Sequence, residues 1–229
     1  MIHSGSRNLG KQVADHYNDV AKELNARWFS SVDPKHDLAF LPIGTEEADA
    51  YIREMNYCVD FALANRKVMM YRIMDALSNC CHKYANMNVG FGEMVNIAHN
   101  YARIENHFGK NVWIHRKGAT SAKLDETGII PGSQGTSSYI VKGLGNIQSF
   151  TSCSHGAGRK MGRKEAQRSF NLEDEIKKMN DKGIIHNMKT VADLDESAGA
   201  YKDIFEVMSN QRDLVTIVKK LFPVAVIKG

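Results

Sequence analysis

From Gly10 onward the chain places Val13, Tyr17, Val20, Ala21, Leu24 and Trp28 at three- and four-residue steps, the stripe of an amphipathic helix packed on a core. Residues 33–47 carry Pro34, Pro42 and Gly44 and read as a connecting loop, with Thr45 as the N-cap ahead of Glu46 and Glu47. From there to about Phe108 the pattern predicts nearly continuous helix, broken over Asn86 to Gly90, with Met69, Met70, Ile73, Met74 and Leu77 as packing residues. The last of these helices is expected from about Glu93 to Asn106, with Met94, Ile97, Tyr101 and Ile104 on one face and His99 beside them. After Gly109 the period shortens. Val112 to Ile114, Ser138 to Val141 and Gln148 to Thr151 read as short strands set between glycines. A basic helix is expected from about Met161 to Arg168, one capped by Asn171 after it, and another around Leu214 to Leu221. The unbroken apolar run from Pro223 to Ile227 predicts a buried closing strand that carries Lys228 to an interior position. The fold class is therefore α+β, a helical first half followed by short mixed strands carrying polar loops, without internal repeats.

Composition narrows this reading modestly. With 43% hydrophobic and 24% charged residues in 229, the chain has the balance of a soluble globular protein and enough length for one sizeable core or two small ones. No run approaches bilayer-spanning length and Met1-Ile2-His3 opens no apolar leader, so no membrane partner is expected. A net charge of +4 permits a polyanionic partner without demanding one. Cys58, Cys80, Cys81 and Cys153 include no Cys-x-x-Cys pair, which points to reduced thiols and a cytoplasmic setting. Cys80-Cys81-His82 invites a metal reading, but adjacent helical residues point apart, and a structural role is preferred.

The chemistry concentrates in Ser152-Cys153-Ser154-His155-Gly156-Ala157-Gly158-Arg159-Lys160-Met161-Gly162-Arg163. A histidine stands in a small-residue loop whose glycines permit close backbone approach to a ligand. A helix beginning just downstream would turn N–H groups toward an anion, and Arg159 and Arg163, four apart, would share its face and fork onto phosphate. A neutral imidazole beside phosphate is a candidate nucleophile. The same stretch also reads as a Gly-rich turn before a solvated basic helix. His3-Ser4-Gly5-Ser6-Arg7 suits a tight loop whose hydroxyls and Arg7 meet phosphate; a histidine so near the start is otherwise simply exposed.

Four ordered stretches carry a resemblance: His3 to Arg7, His115-Arg116-Lys117-Gly118-Ala119-Thr120, Pro131-Gly132-Ser133-Gln134-Gly135-Thr136, and Ser154-His155-Gly156-Ala157-Gly158-Arg159. Together with the Lys228-Gly229 ending they resemble the RtcB-type RNA ligases, the tRNA-splicing ligase family, across residues 1–229. The resemblance implies an α+β fold like the carboxyl-terminal part of a family member, one catalytic-type region equivalent to its second half. It implies GTP- and manganese-dependent joining of RNA ends bearing a 3′-phosphate or 2′,3′-cyclic phosphate to ends bearing a 5′-hydroxyl, in tRNA splicing or RNA repair. His155 would become the guanylylated nucleophile. His3 and His99, the latter within Asn96 to Asn100, would be metal ligands with asparagine neighbours fixing the His99 tautomer. Ser133, Gly156, Ala157, Gly158, Tyr201 and Lys228 would hold the nucleotide, with Tyr201 stacking on guanine and Lys228 meeting a purine carbonyl. Arg7, Arg116, Lys117, Arg159 and Arg163 would meet RNA phosphates, and Lys202 a phosphate as well.

The departure is one of length. Family members are about twice as long, and their first half contributes an aspartate, a cysteine and a histidine to the metals and an Asn-His-Phe segment near the nucleotide. With His3 and His99 alone a metal would have too few protein ligands. Three readings follow: half of a split ligase completed by a second polypeptide, a non-catalytic relative that binds RNA or nucleotide, and an idle truncated fragment. A chain of this kind should expose an apolar face and associate through it.

Overall fold

The computed structural model describes residues 1–228, so Gly229 of the Lys228-Gly229 ending lies outside the described residues. The fold is α+β and divides into two compact units, Met1–Ala102 and Arg103–Gly229.

The first unit is a helix pair, α1 (Leu9–Arg27) and α2 (Glu46–Ala85). Arg7 and Asn8 take left-handed backbone ahead of α1, and the Gly10 N–H donates to Ser6 Oγ at 2.9 Å. Tyr17 and Ala21 of the predicted stripe are buried against α2, where the Tyr17 hydroxyl donates to Glu54 Oε1 at 2.9 Å. Buried Asn25 holds the connecting loop, donating to the Phe40 carbonyl at 2.6 Å and accepting the Phe40 N–H at 3.2 Å. Thr45 caps α2 as expected, its side chain accepting the Ala48 N–H. Every buried residue of α2 lies at or before Cys58; further along, Phe61, Val68, Tyr71, Ile73 and Leu77 are exposed.

The helix expected from Glu93 to Asn106 is absent. Asn86 ends α2 in left-handed backbone, residues 87–99 have no regular structure, and β1 (Asn100–His107) follows. The apolar spacing misleads because β2 offers β1 a strand partner and Asn96 turns its carboxamide to α2, donating to the Leu63 carbonyl at 2.9 Å.

After β1 come β2 (Lys110–Lys117), β3 (Ala119–Ser121), β4 (Thr127–Ile130), β5 (Ser138–Gly143) and β6 (Ser152–Ser154). Three short helices follow, α3 (Arg163–Ser169), α4 (Leu172–Asp181) and α5 (Ile204–Ser209), with β7 (Ile185–His186) between the last two and β8 (Val215–Leu221) and β9 (Ala225–Val226) closing the described chain. β1 pairs with β2, β3 with β6, and β7 with β9, while β4, β5 and β8 form an antiparallel three-stranded sheet. Phe108 and Gly109, at φ 52° and 74°, make the two-residue turn that joins β1 to β2. Ile130, Tyr139, Val141 and Val215 from the larger sheet pack with Ile204 and Met208 of α5 and with Cys153 and Ala157. The His155 loop thus rests directly on the core.

Four further expectations are corrected. Gln148 to Thr151 is not a strand: Asn146 caps a 3-10 turn at Ile147–Ser149, Phe150 and Thr151 are left-handed, and pairing begins at Ser152. Leu214 to Leu221 is a strand, because Val215, Thr216, Ile217 and Val218 are β-branched and find β5 as a partner. The basic helix begins at Arg163, leaving Arg159 outside it; the Glu165 carboxylate accepts the Gly162 N–H at its start. The closing run is not a buried strand: only Ala225–Val226 pairs, and Val224 and Ile227 are 77% and 89% exposed. The Asn171 cap is present, accepting from the Glu173 and Asp174 N–H groups.

Arg116 corrects a fifth. It is buried at 1% exposure, not a surface contact for RNA phosphate. Its guanidinium donates to both Glu105 oxygens at 2.6 and 2.9 Å, to the Phe150 carbonyl at 3.0 Å and to Ser152 Oγ at 3.0 Å. One side chain from β2 therefore clamps β1 to the turn that feeds β6. Arg116 and a second hydrogen bond from His107 hold the Glu105 carboxyl down at about 2.

Two outcomes follow. Arg116→Ala strands a buried carboxylate and should lower unfolding free energy by about 3–5 kcal/mol in a denaturant titration. A carboxyl depressed in the folded state stabilises above its unfolded value and loses that contribution as pH falls. Here the window runs from the ordinary 4.5 down to about 2, a loss of about 3 kcal/mol that Glu105→Gln should flatten in a pH series of unfolding midpoints.

Candidate nucleotide and metal sites

His155 follows β6 and Gly118 precedes β3, and the β3–β6 pairing of Ala119 with Ser154 sets them side by side. The His155 N–H lies 3.5 Å from the Gly118 carbonyl, and a Cβ on Gly118 would sit 3.7 Å from the imidazole Cε1. Gly118 has φ +71°, a conformation that suits glycine and lets the chain turn from β2 into β3 at the ring. On the other side the Ala157 N–H donates to the Pro131 carbonyl at 3.0 Å, and a Cβ on Gly156 would come within 3.1 Å of that oxygen. Three stretches separated in sequence, at Gly118, Pro131 and His155, therefore meet. In the Pro131 turn, Ser133 shares its hydroxyl with Thr136 Oγ1 at 2.9 Å, the Gly135 carbonyl accepts Lys182 Nζ at 2.8 Å, and the buried amide nitrogen of Gln134 has no hydrogen-bond partner among the described residues.

The loop beyond His155 is less open to an anion than its glycines suggested. Ala157 is buried in the core, its N–H is engaged by Pro131, and the Gly156 N–H points to Ser154 Oγ at 3.4 Å. Gly158, left-handed at φ +72°, accepts the Lys202 N–H at 2.9 Å. Cys153, beneath the loop, is pushed up to about 11 by burial and is a packing residue rather than a reactive thiol.

Four predicted ligand contacts gather on two carboxylates to which the sequence reading assigns no role, Asp195 and Glu196. Arg159 bridges to Tyr201, donating to its hydroxyl at 3.0 Å and to the Met161 carbonyl at 3.1 Å, with its guanidinium carbon 4.9 Å from the Tyr201 ring centroid. It also lies 3.4 Å from Glu196 Oε1 and donates to the Asp195 carbonyl. Tyr201 donates to Glu196, and burial together with that carboxylate pushes its hydroxyl up to about 12. Arg163 Nε approaches Glu196 at 3.5 Å and Asp195 at 3.8 Å while 72% exposed. Lys228 pairs with Asp195 and lies 3.5 Å from the Ala192 carbonyl, so its amine has an acceptor within the chain. In this arrangement Arg159 covers a face of the Tyr201 ring and is held internally, whereas Arg163, Lys117 and Arg7 are exposed. The missed signal was the spacing itself: an Asp-Glu pair close to Tyr201 can satisfy a cluster of cations.

In the first unit, His3 and His99 come together although 96 positions apart, with their Nε2 atoms at 3.2 Å. That is a hydrogen-bonding distance, and it also fits two ligands of one ion: N–metal bonds of about 2.0–2.1 Å at a tetrahedral angle separate the nitrogens by about 3.3–3.4 Å. Arg66 of α2 sets the approach, donating to the Ser4 carbonyl at 2.8 Å, to Ile97 O at 3.0 Å and to Asn96 Oδ1 at 2.9 Å. Asn65 adds contacts of 3.2 Å to Ser4 Oγ and the Gly5 carbonyl. Asn96 therefore braces Arg66 and α2 rather than the His99 ring. Among the described residues no group of three or more His, Cys, Asp or Glu side chains is placed to hold a metal. The four cysteines are free thiols, and among the described residues no helix is long and apolar enough to cross a membrane.

Comparison with known proteins agrees with these motifs. The family described as tRNA-splicing ligase RtcB matches residues 1–229. An RNA-splicing ligase RtcB of Escherichia coli strain K12 is 40% identical over 230 residues, covering 100% of this chain and 55% of the relative. A tRNA-splicing ligase RtcB of Nanoarchaeum equitans is 34% identical over 251 residues, and one of Aeropyrum pernix 32% over 252, each with 100% of this chain and 52% of the relative aligned. The chain spans about half the length of these curated relatives. With a family match along its whole length and its three motif loops gathered around one histidine, the chain belongs to the RtcB tRNA-splicing ligase family.

Proposed function

We propose that this chain is the carboxyl-terminal half of a GTP-dependent RNA ligase, with His155 as the residue that carries guanylate. The observation that supports it best is the meeting of the Gly118, Pro131 and His155 stretches, with Gly118 against the imidazole and Pro131 against the Gly156-Ala157 backbone that follows it. In this reading an imidazole nitrogen attacks the α-phosphorus of GTP, forming a phosphoramidate as pyrophosphate departs. The guanylate then moves to the 3′-phosphate of an RNA, freeing the histidine. The oxygen of an RNA 5′-hydroxyl attacks that 3′-phosphorus, losing its proton, and GMP leaves as the new phosphodiester forms. Ser133 in the Pro131 turn, Lys182 at the end of α4 with its amine on that turn, and Lys202 bonded to Gly158 would supply polar and cationic groups for the nucleotide; Arg163, Lys117 and Arg7 are exposed cations for the RNA backbone.

The His3–His99 pair fits one side of a divalent metal site for Mn²⁺. When bound there the ion supplies positive charge that lowers the cost of bringing phosphate oxygens together. Two histidines leave the set short, and the share of each relative that lies outside the alignment supports completion by further polypeptide. The exposed apolar residues of α2 from Phe61 to Leu77 support association of the same kind.

The direct test is labelling with α-³²P-GTP and Mn²⁺, on the chain alone and with the portion of the Escherichia coli relative that does not align with it. Label is expected on the chain only when both polypeptides are present; a folded mixture that never labels would remove the ligase reading in favour of a binding module. Arg66→Ala should release the two segments that bring His3 to His99. It is expected to weaken Mn²⁺ binding to the assembled pair about tenfold or more by electron paramagnetic resonance titration, as loss of a ligand-orienting contact does.

A further inference from the structure

Beside the β1–β2 turn lies a cleft of about 370 Å³ that nothing in the guanylate chemistry uses. Phe108 stands at its rim, 60% exposed, and Phe150, 42% exposed, meets it edge to face with centroids 5.7 Å apart at 90°. His107 packs against Phe150 from the buried side at 5.3 Å, itself bonded to Glu105 at 3.0 Å. Ile104 and Ile147 line the walls, and Arg103 and Lys123 lie at the margins. Thr151, also lining the cleft, has a buried hydroxyl with no hydrogen-bond partner among the described residues.

We propose that this cleft is a base-binding platform for single-stranded RNA, an inference that rests on the reading of the chain as part of an RNA-joining enzyme. Three features point to a nucleobase. Phe108, which lines the cleft, is aromatic and solvent-facing, and every base has a π-face that stacks on such a surface without regard to sequence. The one carboxylate in the lining, Glu105, is neutralised by the two-pronged bond from Arg116, so it does not repel a polyanion. The cations Arg103 and Lys123 are exposed at the margins, and Lys110 follows the turn directly, which suits the phosphates on either side of a stacked base. A phosphate alone would not favour walls of isoleucine and phenylalanine. The platform also lies near the reacting histidine in the chain: Phe150 precedes His155 by five residues with β6 between them, at most about 18 Å of extended chain.

Affinity for a short fluorescein-labelled oligouridine, read by anisotropy at fixed salt, tests the proposal. Phe108→Ala should weaken binding about 5- to 100-fold and Phe108→Tyr should restore it, because only a stacking surface distinguishes them. An oligomer with abasic positions should bind the wild-type chain weakly and be indifferent to Phe108→Ala. Lys123→Ala should lower the slope of log affinity against log salt by about one. Equal affinity of Phe108→Ala and wild type overturns the platform, as does equal binding of the abasic oligomer. Loss of association with the complementing polypeptide in Phe108→Ala, with RNA affinity untouched, overturns it in favour of a protein interface. Labelling of His155 by GTP is scored separately on the wild-type pair. Labelling without RNA binding removes the platform alone, and Phe108-dependent RNA binding without labelling removes the guanylate reading alone.

Discussion

The second unit hangs on the buried pair of Arg116 and Glu105. A single guanidinium reaches from β2 to β1, to the Phe150 carbonyl and to the Ser152 hydroxyl, which fixes where β6 begins. Since β3 pairs with β6 one residue before His155, the same clamp sets the imidazole beside Gly118. Burying a charge pair is costly unless its hydrogen bonds are nearly all met, and here they are shared among four acceptors. The core beneath, with Cys153 and Ala157 packed against Ile130 and Met208, makes the loop an extension of the packed interior.

This frame explains why the site motifs are legible in sequence while their partners are not. The glycines at Gly118 and Gly156 follow from local demands, a positive φ at the first and a close backbone approach at the second, and local demands leave a mark on the residue itself. The His3–His99 contact is different, since nothing in either segment announces the other; Arg66 and Asn65 supply the connection from a helix between them. The arginines and Lys228 suggest ligand contacts from sequence because a cation there gives no sign of its counter-ion. Asp195 and Glu196 turned out to be those counter-ions for Arg159, Arg163 and Lys228.

The errors in secondary structure have one cause. Met94, Ile97, Tyr101 and Ile104 match a helix by spacing, and Leu214 to Leu221 does too, yet both lie in chain that tertiary partners draw into other forms. Asn96 bonding to α2, and β5 offering an edge to β8, outweigh propensities worth tenths of a kcal/mol per residue. Burial failed likewise at Val224 and Ile227, and along α2 beyond Cys58, where apolar residues face outward. Apolar surface of that extent marks a face open to association.

The central claim is that His155 carries guanylate. After incubation of the chain with GTP and Mn²⁺, together with the portion of the Escherichia coli relative that does not align with it, peptide mass spectrometry under alkaline conditions, which spare a phosphoramidate, should place GMP on the peptide containing His155, and His155→Ala should carry none. GMP mapped to a lysine such as Lys160 or Lys202, or retained in His155→Ala, would contradict the account.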